Sequence, residues 1–175
     1  MMLAVPAVFG QSEEGQGMPA MGAPPEMKAM AFLIGDWDVA MKMLESDTAK
    51  VMTEFKGVSH CTSMLDGCMY QMAFETDYGG MIMKGLCFMT FDRETGNWQN
   101  VWVDNMIGRI ALYEGKMQND TITLAGKDLY QGKEYLTRLK TFNITPTKYD
   151  WLMESSLDGG KTYIVMGTAT YTKRQ

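Results

Sequence analysis

Histidine is almost missing from this chain of 175 residues: there is only His60, and it is accompanied by just three cysteines, Cys61, Cys68 and Cys87. A zinc site of the paired Cys/His kind is excluded, because no C-x-x-C and no second histidine exist to complete it. Any Ser-His-Asp or Cys-His catalytic group would rest on His60 alone. Neither G-x-x-x-x-G-K-[ST] nor G-x-G-x-x-G follows a strand pattern, so loops that cradle phosphate are unsupported. Basic charge is also in deficit, with 16 Lys and Arg against 21 Asp and Glu. The resulting charge of −5 argues against nucleic acid as a partner, since phosphates need a face rich in Lys and Arg. No apolar run approaches the roughly 20 residues that span a bilayer, so no integral membrane association is expected.

What the chain has in excess is methionine, 19 residues in all. Residues 1–10 are apolar and end in Val8-Phe9-Gly10 before Gln11, which resembles the back half of a secretion signal without its positive n-region. The expectation is an exported protein, periplasmic or extracellular, or a cytoplasmic one if this segment is not a signal. Gly, Pro, Gln, Glu and Met without periodicity make the following residues a flexible leader, so that 1–24 precede a single domain at 25–175. Met18, Met21, Met27 and Met30 form two Met-x-x-Met pairs. Thioethers of this kind bind Cu(I), but no His or Cys joins them, and core filling is the simpler use.

Pro25 and Glu26 suit the start of a short helix whose Met27, Met30 and Ala31 share one face, with Gly35 as its stop. From Trp37 the period changes to two. Strands are expected at 37–44, 51–61, 68–76, 81–91, 98–105, 109–116, 121–129, 134–143, 149–155 and 161–172, separated by short Gly, Asp and Asn turns. Links this short join antiparallel neighbours, and a ten-strand meander loses its exposed edges by closing on itself. The expected fold is therefore all-β: an up-and-down antiparallel barrel of about ten strands, with the short N-terminal helix closing one end. The stretch Ser156 to Tyr163 nearly matches the S-x-D-x-G-x-T-W turn of sialidase-like propellers, but one copy makes a hairpin turn, not a propeller.

Phe32-Leu33-Ile34-Gly35-Asp36-Trp37 resembles the opening of calycin barrels: lipocalins, fatty-acid-binding proteins and nitrobindin-like proteins. Phe91-Asp92-Arg93-Glu94-Thr95-Gly96-Asn97-Trp98, followed by Val101-Trp102-Val103-Asp104, is similar to the centre of the bacterial domain-of-unknown-function family 1579. The resemblance covers residue 25 to the end. It implies a lipocalin-like barrel with an internal cavity, no established activity, and structural roles for Gly35 and Trp37 with Lys173 or Arg174 covering the indole. Nitrobindin-like proteins hold haem through a histidine near the C-terminus, and none follows His60 here, so no cofactor is expected. The final strand also lacks the arginine with which fatty-acid-binding proteins hold a carboxylate.

Alternation assigns the cavity wall. Trp37, Val39, Met41 and Met43 share the inward face of the first strand, while His60 falls outward with the charges of the second. Tyr70, Met83, Asn100, Trp102, Asp104, Arg138 and Trp151 are the candidate ligand contacts. Asn100 and Asp104 enter with Trp102 and need partners, from the protein or from a ligand. Arg138 facing inward would pair with Asp104 or a ligand carboxylate, and facing outward would simply stand beside Lys140. Cys61 and Cys68 flank a hairpin and could form a disulfide after export.

Three functions remain open at this stage. The leading one is the binding of a small lipophilic molecule, oriented by these polar groups. The second is an enzyme with Asp104 or Glu114 as acid or base, although no catalytic residue is assigned and a non-enzyme is the favoured outcome. The third is a solidly packed barrel that forms a homodimer.

Overall fold

Trp37, Val39, Met41 and Met43 alternate with Asp38, Ala40 and Lys42, and the same period of two organises the chain from Gly35 to Lys173. The computed structural model describes residues 21–45, 48–130 and 132–175. The signal-like segment, most of the leader and Met18 lie outside the described residues. Ten strands follow: β1 Gly35–Leu44, β2 Met52–Met64, β3 Met69–Tyr78, β4 Met81–Asp92, β5 Asn97–Asp104, β6 Ala111–Gln118, β7 Thr121–Tyr130, β8 Lys133–Phe142, β9 Lys148–Ser156 and β10 Ile164–Lys173. Each pairs antiparallel with its sequence neighbours, and β1 pairs with β10 to close the barrel. Closure satisfies the backbone donors and acceptors that an open meander would leave at its two edges.

The expected helix is a 3₁₀ helix, Pro25–Leu33, and not a lid laid across one end. Its buried residues explain the difference. Met27, Met30 and Leu33 recur every third residue, which three residues per turn aligns on one line, whereas the 3.6-residue period would have buried Ala31. Ala31 is exposed. The three apolar side chains form one core cluster with Trp37, Cys61, Tyr70, Trp98, Tyr113 and Tyr149. Trp37 Nε1 donates to the Leu33 carbonyl at 2.8 Å and Tyr70 donates to the Met27 carbonyl at 2.9 Å, which ties the segment to β1 and β3. Met27 and Met30 are 1% and 0% exposed, so they are core and cannot belong to an open thioether site for copper.

Gly35 opens β1 at φ +125°, and a Cβ there would stand 2.9 Å from Lys173 Cε. Its bare backbone gives Lys173 the path to Trp37. The ammonium lies 5.3 Å from the indole centroid, a cation–π contact worth about 0.5–2 kcal/mol. Arg174 does not share that role: its guanidinium pairs with Asp38 at 2.6 Å on the exposed side. The possible disulfide is also absent. Cys61, Cys68 and Cys87 are free, and register places Cys61 opposite Met72, four residues beyond Cys68.

Candidate functional site

The inward face of β5 carries Trp98, Asn100, Trp102 and Asp104 in succession. Trp102 leans over Gly85 on β4, where a Cβ would overlap its ring, and it lies 6.3 Å from Phe74. Its Nε1 donates to Asp104 Oδ2 at 2.8 Å. Asp104 Oδ1 accepts from the backbone amides of Met106 and Ile107 at 2.9 and 2.8 Å, so protein donors satisfy both oxygens. Asn100 donates to Cys87 Sγ at 2.8 Å. Glu114 stands on the outward face of β6, bonded to Gln99 at 2.6 Å, so it and Asp104 do not form an acid–base pair inside the barrel.

Arg138 takes the outward of the two orientations that the sequence left open, beside Lys140. Thr137 and Leu139 turn inward on β8, Thr137 being only 2% exposed, which sends Arg138 outward. There it donates to Glu154 at 2.8 Å, and its guanidinium lies 4.0 Å from the Tyr163 ring centroid. Lys140 reaches the same Glu154 oxygen at 3.0 Å. Burial raises the Glu154 carboxyl, but the hydrogen bonds and charges of Arg138 and Lys140 outweigh it and the net shift is downward.

Strand register supplies an arginine that the sequence reading missed. Arg109, just before β6, meets Asp128 of β7 at 3.2 Å, and Tyr113 donates to the other Asp128 oxygen at 2.7 Å. Burial, reinforced by the Asp128 charge, pushes the Tyr113 phenol far above its ordinary range. The signal that could have found this group was the inward parity of Asp128 with Ile122 and Leu124.

The remaining candidates divide between packed and open regions. Tyr70 is 5% exposed and spent on Met27. Met83, Trp102 and Trp151 instead pack beside the second cluster of Val39, Phe74 and Ala169, and all three keep accessible surface. A concavity among the described residues measures about 710 Å³. Its lining is mostly of outward parity, Ala40, Lys42, Lys56, Asp150, Thr168 and Thr170 among it, with Met41, Phe55, Trp151 and Ala169 as the inward minority. The concavity therefore lies largely against the outer face of β1, β2, β9 and β10.

Residues 23–173 match the model of a family described as Protein of unknown function (DUF1579). The chain belongs to this family. No curated protein sequence matches this DUF1579 chain. Among solved structures it is similar to Rv2717c from M. tuberculosis, with 12% identity, a TM-score of 0.61 and coverage of 87% of this chain and 99% of that one. It is also similar to the S-type phycobiliprotein lyase CPES from Guillardia theta, with 14% identity, a TM-score of 0.56 and coverage of 86% and 91%. At such identities the likeness concerns the fold, a calycin-like barrel.

One further group stands at the waist of this DUF1579 barrel. Tyr149 stacks on Tyr171 with centroids 4.4 Å apart and meets Trp37 edge-on at 4.9 Å. The Tyr149 hydroxyl and Ser59 Oγ are buried and have no hydrogen-bond partner among the described residues. Burial pushes Cys61 up to about 11 and Cys87 up to about 12.

Proposed function

We propose that this protein is a binding module whose barrel interior receives a small, mostly apolar molecule. The observation that carries the reading is residual surface on inward side chains. Met41, Phe55, Met83, Trp102, Trp151 and Tyr171 point into a closed barrel yet are only half-buried. Surface that is accessible on such residues faces interior space, and packed cores leave little of it. Flexible thioethers beside rigid indoles suit a pocket whose wall adapts to its contents. In this reading Met83, Trp102 and Trp151 line the site, Asn100 stands at its base, Asp104 orients Trp102, and Tyr70 and Arg138 have no part in it. That a structural neighbour is named as a phycobiliprotein lyase agrees with a barrel shape that handles a second molecule.

The test is titration of the full chain with an environment-sensitive apolar fluorophore, read with tryptophan fluorescence and native mass spectrometry. One saturable equivalent that weakens in Ala169→Leu, which fills the inward wall, is expected. Absence of saturable binding, or binding indifferent to Ala169→Leu, would overturn the proposal.

Self-association is a second reading, favoured by outward Leu86, Val103, Val101 and Leu112, which adjoin across β4, β5 and β6. Sedimentation decides it: a monomer over the working concentration range removes it.

A further inference from the structure

Ten antiparallel strands paired in chain order put every second connection at the same end of the barrel. The 3₁₀ helix packs at one end, against Trp37 and Tyr70, where β1 begins and β10 finishes. The connections after β1, β3, β5, β7 and β9 lie at the opposite end. Each of the five carries, at or beside its turn, an aliphatic or methionine side chain that is half or more exposed: Val51, Met81, Ile107 with Ile110, Leu129 and Leu157. The connections at the helix end are polar by contrast. They turn on Arg93-Glu94-Thr95-Gly96, Asn119-Asp120 and Asn143, with Met64 and Leu65 as the exposed apolar exceptions among the described residues.

The apolar turns also stand clear of the body. A Cβ added at Gly79, Gly80, Gly108, Gly132 or Gly159 would meet nothing within 4 Å. At the helix end, one at Gly67 would stand 3.1 Å from Ala23 Cβ and one at Gly96 3.4 Å from Lys116 Nζ. The interior opens in the same direction, since inward Trp37 and Tyr149 near the helix are 0% and 2% exposed, while Met43, Phe55 and Tyr78 toward the other end are half-buried. Charge at this rim is balanced. Exposed Lys50, Lys133 and Lys161 stand with exposed Glu45, Asp77 and Asp158, and Lys127 is paired with Glu134 at 2.9 Å.

We infer that this rim docks the protein, barrel mouth first, on the surface of a zwitterionic lipid bilayer. Apolar side chains on five separate turns, parted by glycines and polar residues, do not make the continuous apolar centre that a protein partner buries. A fluid interface needs no such centre, because each tip enters the boundary of headgroups and acyl chains by itself and the gains accumulate. A rim without excess positive charge matches zwitterionic headgroups, whereas an anionic surface would call for a basic cluster. The inference goes beyond interior binding and does not depend on it. Docking in this orientation brings the barrel mouth to the phase in which apolar molecules concentrate.

The experiment mixes the full chain with phosphatidylcholine vesicles and measures the fraction that floats with them. Association is expected, and it should change by less than about threefold when phosphatidylserine is added or salt is raised. The rim variant Ile107→Ser with Ile110→Ser should weaken it about tenfold or more, since full burial of one such side chain is worth about that factor. Leu65→Ser at the helix end should leave it unchanged. All three substitutions fall on exposed side chains, so both variants should melt with the parent. No flotation, flotation that requires phosphatidylserine, or flotation that survives in the rim variant, as one carried by the apolar residues 1–10 would, overturns the inference. An oligomer that forms without vesicles and dissolves in the rim variant, with no flotation, also overturns it and assigns the rim to a second copy of the chain. Fluorophore binding without vesicles should be equal in parent and rim variant, and its failure in the parent overturns interior binding alone.

Discussion

Trp102 Nε1 and Asp104 Oδ2 lie 2.8 Å apart, two residues along one inward strand face, so a single carboxylate both fixes an indole and caps the turn after β5. Asp104→Ala removes three hydrogen bonds at once. A loss of about 2–3 kcal/mol in urea unfolding is expected, together with a red-shifted tryptophan emission as the indole loosens. A variant as stable as the parent, with unchanged emission, would deny the carboxylate this role.

Gly85 and Trp102 form a lock of a different kind, since any Cβ at Gly85 would occupy the ring's place. Gly85→Ala should cost about 1–3 kcal/mol by overpacking and should weaken fluorophore binding inside the barrel. Pairing it with Trp102→Leu should recover part of the stability. A purely additive double mutant would show that the contact does not govern either property.

Met30 is fully buried within the 3₁₀ helix, whereas Met21 is 95% exposed. Met30→Ala is expected to destabilise by about 2–5 kcal/mol and Met21→Ala to leave stability within about 0.5 kcal/mol. Thermal unfolding of the two variants checks the contrast.

Lys173 and Arg174 are adjacent but serve different ends. Lys173→Gln removes the cation over Trp37 and should cost about 0.5–2 kcal/mol. Arg174→Gln breaks an exposed ion pair with Asp38 and should cost no more than about 1 kcal/mol. A reversed order in chemical denaturation would return the covering role to Arg174.

Asp158 accepts from the Thr162 hydroxyl and amide and from Ser156, which lower its carboxyl to about 2. Asp92, held chiefly by the Thr95 hydroxyl, and the net-lowered Glu154 shift in the same direction. Folded carboxyls that ionise below their unfolded values of about 4 add stability that is complete above that pH and disappears as pH falls toward about 2. Melting temperature should decline across this window, and Asp158→Asn should flatten its lowest part. An unchanged profile in that variant would show that the turn is not coupled to folding.

The ten strands and the inward faces of β1 to β5 were legible because apolar residues there alternate with Asp, Lys and Glu. On β8 the pattern is ambiguous: Leu136 and Phe142 share a parity with Arg138, and Tyr135 and Leu139 hold the other, so hydrophobicity alone cannot orient the strand. The 3₁₀ helix was obscured because Met27 and Met30 fit both helical periods, and only the burial of Leu33 rather than Ala31 separates them. Arg109 and Asp128 are 19 residues apart, and only the folded register joins them. The unpaired hydroxyls of Ser59 and Tyr149 were invisible for a similar reason, since what distinguishes them is the partner each one lacks.

The pairing of β1 with β10 also constrains the order of assembly. It brings Asp38 to Arg174 across 136 positions, whereas the other strand pairs join segments linked by short turns. Closing so long a loop costs chain entropy before any contact repays it, so the hairpins are expected to form first and the seam last. Amide protection during refolding should therefore appear in β3 and β4 before β1 and β10. Until that seam closes the chain is an open sheet with two sticky edges, which makes the speed of the last step a determinant of how much protein escapes aggregation.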